Sequence, residues 1–312
     1  MKHFLSIQDI DNLQEAVQEA IGIKKSPFQY HTLGHQKTIC LLFFNNSLRT
    51  RLSTQKAAMN LGMRVMVMNF GDEGWQLEFE DGIIMDQHKA EHIKEAAQVV
   101  SQYCDIVAVR AFAELKDKQE DEAEKVLRGF AKYATIPVVN MESSTAHPLQ
   151  ALADAITLEE HSIVERPKVV LSWAPHPKAL PHAVANSFVQ MMKRYPVDFV
   201  ITHPEGYALN PEITEGCKIV YDQEEALENA NFVYVKNWSS YSEYGKVLQL
   251  DTSWTMTQAK LGNAQFMHCL PVRRNMVVED AILDSDRSLV TAQANNRTFA
   301  AQQVLKRILE TF

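Results

Sequence analysis

No G-x-G-x-x-G occurs in the 312 residues, and the 11 glycines are scattered rather than gathered at strand-to-helix turns. That absence argues against a dinucleotide-binding enzyme. Cysteine is sparse: Cys40, Cys104, Cys217 and Cys269 form no C-x-x-C pair and no His–Cys cluster at zinc spacing. Neither a disulfide framework nor a structural metal is expected. No stretch approaches the ~18–20 apolar residues that a spanning helix needs. The opening MKHFLSIQDIDNLQEAVQEA reaches an acid by position 9 with no apolar run of seven before it, so no signal peptide is expected and a reduced, cytoplasmic chain is. Basic charge is in deficit, with 31 Lys and Arg against 39 Asp and Glu and a net charge of -8. This argues against general affinity for nucleic acid or a membrane surface, and any basic cluster must act locally against the overall field.

What is present is apolar patterning, 46% of the chain, at a length that suits two domains. Short apolar runs recur between helical patterns: TICLLFF (38–44), VMVMNF (65–70), DIVAVR (105–110), PVVNM (137–141), KVVLSWA (168–174), DFVITH (198–203), KIVYD (218–222), FVYVK (232–236) and FMHCL (266–270). Runs this continuous fit strands covered on both faces, hence parallel sheets of an α/β fold. Residues 8–20 read as an amphipathic helix, HPLQALADAITLEEH as a helix joining the two groups of strands, and the last segment, NNRTFAAQQVLKRILETF, as a helix packing back. The domains expected are 1–146, with 295–312 returning to it, and 147–294. WAPHPKALPHAVANSF, with prolines at 175, 177 and 181, is too rigid to begin as a helix.

Ligands of open α/β sheets sit beyond the carboxyl ends of strands. The residues there are Ser47, Arg49, Thr50 and Arg51, then Arg110, then Glu142 and His147-Pro148-Leu149-Gln150, then His176, His203, Lys236, and His268-Cys269-Leu270-Pro271-Val272-Arg273-Arg274. A turn reading S-x-R-T at a helix start presents backbone N–H groups, a hydroxyl and a guanidinium to one phosphate; the same residues also make an ordinary exposed helix cap. Arg110 serves equally well in a structural salt bridge, and an isolated His147 in a core or cap hydrogen bond. Together with Arg297 these groups would neutralise a dianion and polarise a carbonyl, and Gln150 has the donor and acceptor that suit a carbamoyl group. Cys269 as a nucleophile lacks a base: strand alternation would turn the adjacent His268 to the opposite face.

S-x-R-T-R in NNSLRTRLS, H-P-x-Q in AHPLQALAD and H-C-L-P in FMHCLPVRRN, in that order across nearly the whole chain, resemble the aspartate/ornithine carbamoyltransferase superfamily. The resemblance implies two doubly wound parallel-sheet domains joined by helices, carbamoyl phosphate bound by the first and the amine substrate by the second. It implies carbamoyl phosphate contacts from Ser47, Leu48, Arg49, Thr50, Arg110, His147, Gln150, Cys269, Leu270 and Arg297. Thr50, Arg110 and His147 would face the oxyanion of a direct amine attack that needs no cofactor and no metal. Arg51 is expected to hold the turn rather than the ligand.

Ornithine enzymes of that superfamily carry D-x-x-x-S-M-G after the strand that here reads FVYVK; this chain has VYVKNWSSYSEYG, with Lys236 in the aspartate's place. A cation there repels a free α-ammonium, whereas an Nα-acylated ornithine offers only carboxylates. A solvated strand-end lysine is the plainer alternative. The Pro-rich stretch, EGWQLEF with Trp75, and HCLPVRRN also resemble the N-acylornithine branch. In that branch the tryptophan reaches a neighbouring subunit's site in a trimer and the Pro-rich loop joins a trefoil knot, contrary to the general rule for folds. Glu142, His176, Lys236, Arg273, Arg274 and Ala90 are the candidates for the acylornithine. Acetyl members carry a glutamate and succinyl members a proline where DQHKAEHIKEAAQ has Ala90. Alanine lacks the glutamate's charge and bulk, and the cationic surplus favours the succinyl carboxylate. The activity implied is carbamoyl transfer to N2-succinyl-L-ornithine in arginine biosynthesis, with N-acetylornithine or another amine as the alternative acceptor.

Overall fold

The computed structural model describes residues 1–70 and 74–312. The chain forms two compact units, Met1–Leu149 with Arg297–Phe312, and Gln150–Asn296. Among the described residues, no helix is long and apolar enough to cross a membrane.

The first unit opens later into helix than its apolar spacing predicts. Ser6 and Asp9 close a capping box over a single 3-10 turn, and α1 (Leu13–Lys25) starts only after Asn12, whose side chain accepts the Glu15 N–H. Short polar side chains that bond nearby backbone define helix starts and defeat periodicity there. Next come β1 (Thr38–Phe43), α2 (Leu48–Asn60), β2 (Arg64–Asn69), β3 (Leu77–Glu78), β4 (Glu91–His92), α3 (Ile93–Tyr103), β5 (Ile106–Ala111), α4 (Lys118–Ala123), α5 (Lys125–Tyr133) and β6 (Val138–Ser143). Strands β2-β1-β5-β6 form one parallel sheet in that order. Leu42, Val107, Val109 and Val138 pack with Ile93, Ala97, Leu127 and Phe130 of the helices. The end of α2 depends on Gly62: its φ is +82°, and a Cβ would sit 2.0 Å from the His31 carbonyl oxygen, so a side chain is excluded both by conformation and by space.

The second unit takes up the chain within α6 (Pro148–His161) and continues through β7 (Lys168–Trp173), α7 (Ala183–Met192), β8 (Asp198–Thr202), α8 (Pro211–Thr214), β9 (Lys218–Ile219), α9 (Gln223–Leu227), β10 (Phe232–Lys236), α10 (Gln258–Leu261), β11 (Gln265–Met267), α11 (Asp280–Leu283) and α12 (Val290–Leu309). Its parallel sheet runs β11-β10-β7-β8-β9. Every residue of β10 is buried, as a central parallel strand covered on both faces must be. Val170, Val233, Val235 and Phe266 share its core with Met256, Val277 and Ile282.

Each of the nine apolar runs carries a strand. Two differ in extent: the KIVYD run keeps only Lys218–Ile219 at the sheet edge, and β11 stops at Met267. The paired β3 and β4 went unread, because two residues are too few to show a period.

Candidate functional site

In the first unit the sheet order reverses between β1 and β5, and it is at such a switch point that open sheets bind ligands. After β1 the chain reaches Ser47 in extended conformation, and its Oγ accepts the Thr50 N–H at 3.3 Å as the cap of α2. No acid stands in the first turn of α2, so its own residues leave the positive end of the helix dipole available to an anion. Leu48 is 69% exposed; only its backbone N–H is suited to a phosphate. Arg51 is turned aside, with Nη1 donating to Asn69 Oδ1 at 3.4 Å and its guanidinium 5.7 Å from the Phe43 ring.

Beneath that turn lies a buried cluster of basic side chains. Arg110, near the end of β5, donates to Thr50 Oγ1 at 3.4 Å, and Arg297 on α12 donates to the same oxygen at 2.5 Å. Arg297 Nη2 lies 3.4 Å from His147 Nε2. His147 is delivered by the turn after β6, where Ala146 N–H donates to Ser143 Oγ, and Pro148 then opens α6, a position where its missing N–H costs nothing. The β5–β6 register shifts at Val109/Arg110 so that Arg110 faces Glu142, a bulge that re-aims a side chain. Arg110 donates to the Glu142 carboxylate, and His147 Nε2 is 3.3 Å from the same oxygen. Burial pushes the Glu142 carboxyl upward, but His147, Arg110 and Arg297 outweigh it and hold the group below its usual range. Glu142, expected to serve the second substrate, lies against Arg110 and His147, candidates for the phosphate, and supplies a counter-charge there.

In the second unit the order reverses between β7 and β10, and the chemistry again gathers there. Lys236, the last residue of β10, is 8% exposed and donates from Nζ to Asn237 O at 3.0 Å; it is not a solvated surface lysine. The Asn237 amide donates to Ala174 O and Pro175 O at 2.8 and 2.9 Å, tethering the loop that carries His176. His176 Nδ1 lies 2.8 Å from Lys178 O, and Nε2 accepts from Arg273 Nε at 3.1 Å. Burial, then the charges of Arg273, Lys236 and Lys178, lower its pKa despite the Lys178 hydrogen bond, so the imidazole is neutral at neutral pH. The Arg274 guanidinium is held by Asp280 and Asp284 at 3.2 and 2.7 Å, which raise its pKa further.

Gln150, in the first turns of α6, donates from Nε2 to Asp154 Oδ1 at 2.7 Å. Past β11, Leu270 adopts φ +58° before a cis proline, and its N–H donates to His268 Nδ1 at 2.8 Å. His268 and Cys269 lie in this turn, not on a strand, so alternation is the wrong reason to reject His268 as a base for Cys269; the right one is that its Nδ1 is taken by Leu270. Ala90 is exposed next to β4, its N–H donating to Gln76 O at 3.1 Å. Trp75 is 55% exposed, with its indole N–H on Glu91 at 2.8 Å. Of the EGWQLEF stretch, Glu73 lies outside the described residues. Sequence reasoning missed Asp154, Gln293 and Tyr234, buried groups around Gln150. The only signal was Asp154 at i+4 from Gln150 on a helix. A cavity of about 800 Å³ lined by Glu224, Leu227, Asn231, Lys260 and Asn263 contains none of the candidate residues; charge convergence, not concavity, marks the site.

The chain matches the family description "Aspartate/ornithine carbamoyltransferase, carbamoyl-P binding domain" over residues 2–160 and "Aspartate/ornithine carbamoyltransferase, Asp/Orn binding domain" over residues 181–308. It is 50% identical to an N-succinylornithine carbamoyltransferase of Bacteroides thetaiotaomicron, across 99% of both chains. An N-acetylornithine carbamoyltransferase of Xanthomonas axonopodis pv. citri is 33% identical, across 98% of this chain and 96% of that one. A crystal structure of N-acetyl-L-ornithine transcarbamylase, with a glutamate replaced by alanine and complexed with carbamyl phosphate and N-succinyl-L-norvaline, superposes with a TM-score of 0.92 at 34% identity, covering 99% of this chain and all of that one.

Proposed function

The chain belongs to the aspartate/ornithine carbamoyltransferase family, and from that premise we propose that it transfers the carbamoyl group of carbamoyl phosphate to the side-chain amine of N2-succinyl-L-ornithine, giving N-succinyl-L-citrulline and phosphate. The observation that carries the choice of amine is Lys236, a buried cation at the end of β10, grouped with His176 and Arg273. Such a group repels the α-ammonium of free ornithine and attracts the α-carboxylate and succinyl carboxylate of the acylated form. The 50% identity to an N-succinylornithine enzyme, against 33% to the N-acetyl one, supports the same choice. A parallel is the acetyl enzyme that holds a succinyl ligand once a glutamate is replaced by alanine, the residue this chain has at Ala90.

In this reading Ser47, Leu48, Arg49 and Thr50 hold the phosphate through backbone N–H groups, a hydroxyl and a guanidinium. Arg110, His147 and Arg297 complete its charge, while Gln150, Cys269 and Leu270 recognise the carbamoyl group. The neutral amine's lone pair attacks the carbamoyl carbon and the carbonyl electrons move onto oxygen, facing Thr50, Arg110 and His147. The tetrahedral species then collapses, expelling phosphate, which takes the amine's surplus proton. Positioning and charge stabilisation supply the rate. The finer parts of the proposal are a homotrimer in which Trp75 serves the neighbouring subunit's site, a trefoil knot through the Pro-rich loop, and a cytoplasmic place in arginine biosynthesis.

The test is citrulline formation from carbamoyl phosphate with ornithine, N-acetylornithine and N-succinylornithine in parallel. N-succinylornithine is expected to be used best; faster turnover of free ornithine would overturn the acyl reading, and of N-acetylornithine the succinyl one. Lys236→Met, which keeps the buried volume, is expected to raise KM for the acylated substrate by roughly 10- to 100-fold with KM for carbamoyl phosphate unmoved. Equal changes in both would return Lys236 to a structural role.

A further inference from the structure

Buried in the second unit, Asp154 accepts two side-chain amides on one carboxylate oxygen: Gln150 Nε2 at 2.7 Å and Gln293 Nε2 at 2.8 Å. An accepting oxygen admits only the NH2 end of an amide, so both glutamines are locked in one of their two orientations. Gln293 then turns its carbonyl to the His268 N–H at 2.9 Å. His268 Nδ1 in turn accepts the Leu270 N–H, holding a leucine at φ +58° where such a side chain is rarely found. Gln150 turns its own carbonyl away from Asp154, and that buried Oε1 has no hydrogen-bond partner among the described residues. An acceptor left so is costly unless a ligand brings a donor. Tyr234 also faces Asp154; burial, then Asp154 and Cys269, keep its phenol protonated far above neutral pH.

We propose that Asp154 is the positioning residue for carbamoyl recognition: by holding the NH2 ends of Gln150 and Gln293 it presents Gln150 Oε1 as an acceptor for the carbamoyl NH2 and braces the Cys269–Leu270 turn through His268. This rests on the carbamoyl phosphate reading above and adds to it the sense of the amide. Carbamoyl phosphate differs from acetyl phosphate only in bearing NH2 where the other bears CH3, so the device sorts acyl phosphates by that donor.

The probes are phosphonoacetamide and acetonylphosphonate, unreactive methylene-bridged analogues that differ in the same NH2 and CH3, measured as inhibitors competitive with carbamoyl phosphate. The folded protein is expected to prefer the amide by roughly tenfold or more, the effect of one buried acceptor. Asp154→Asn, which frees both glutamines to turn over, is expected to bring that preference close to one by weakening phosphonoacetamide alone. Equal weakening of both analogues, or an undiminished preference, overturns the proposal. Should Asp154→Asn fail to fold, Gln150→Met decides: a preference that survives loss of the acceptor overturns it. Failure of the unaltered protein to bind either analogue would instead sink the carbamoyl phosphate reading itself, which keeps the two failures apart.

Discussion

Glu142 is a carboxylate placed inside a ring of Arg110, Arg297 and His147. Glu142→Gln leaves the two guanidiniums without their counter-charge, and a loss of ~2–4 kcal/mol is expected. Inorganic phosphate should restore more stability to the variant than it adds to the parent, because an anion can then fill the place of the missing charge; thermal melts with and without phosphate measure this, equal gains would show that phosphate does not take the place of Glu142, and no gain in either would count against an anion site. The pH dependence follows from direction. The folded pKa lies below the ordinary 4.5, so the group's stabilisation is complete above about pH 4.5 and fades as pH falls through the lower folded value. Glu142→Gln should therefore flatten the acid arm of the melting profile. The types Arg, His and Glu could be read from the chain, but not that Glu142 pairs with Arg110. That pairing comes from a register shift between strands, a property of backbone hydrogen bonding rather than of composition.

The β3–β4 pair illustrates what a short element can control. Glu78 accepts the N–H groups of Phe79 and Glu80 and the ammonium of Lys89, and the Ala90 N–H donates to Gln76 O. Ala90 is thus tethered by backbone although its side chain is exposed. Ala90→Glu is expected to lower kcat/KM for N-succinylornithine by tenfold or more relative to N-acetylornithine, since like charge against the succinyl carboxylate costs on the order of 1–3 kcal/mol. An unchanged ratio would place the acyl group elsewhere. The long apolar strands were legible because parallel strands covered on both faces read as unbroken runs, and α2 because Ser47 caps it. The two-residue strands were not, nor was the end of β11 before His268. At that length hydrogen bonding to neighbours, not side-chain pattern, decides the element.

For the assembly proposed, Trp75 is the residue that connects subunits, and its exposure leaves the indole face available. If each active site takes Trp75 from a neighbour, Trp75→Ala and Arg110→Ala proteins, each nearly inactive alone, should regain activity when co-expressed, because mixed trimers contain sites with neither lesion. Activity no greater than the sum of the parents would show that Trp75 acts within its own chain or not at all.

The sequence alone determined the α/β class, the nine strand-bearing runs and the cations at strand ends, since apolar continuity and local motifs are properties of neighbouring residues. It also carried the family, through three ordered motifs. Only the tertiary structure decided which charges pair. It pairs Arg274 with Asp280 and Asp284, buries Lys236 beside its loop, sets Glu142 against Arg110, and brings Gln293 of α12 onto the Gln150–Asp154 pair of α6. Hydrogen bonds and ion pairs of that kind depend on ångström distances that chain separation does not encode. For this protein those distances turn a list of polar residues into a candidate site with a defined sense.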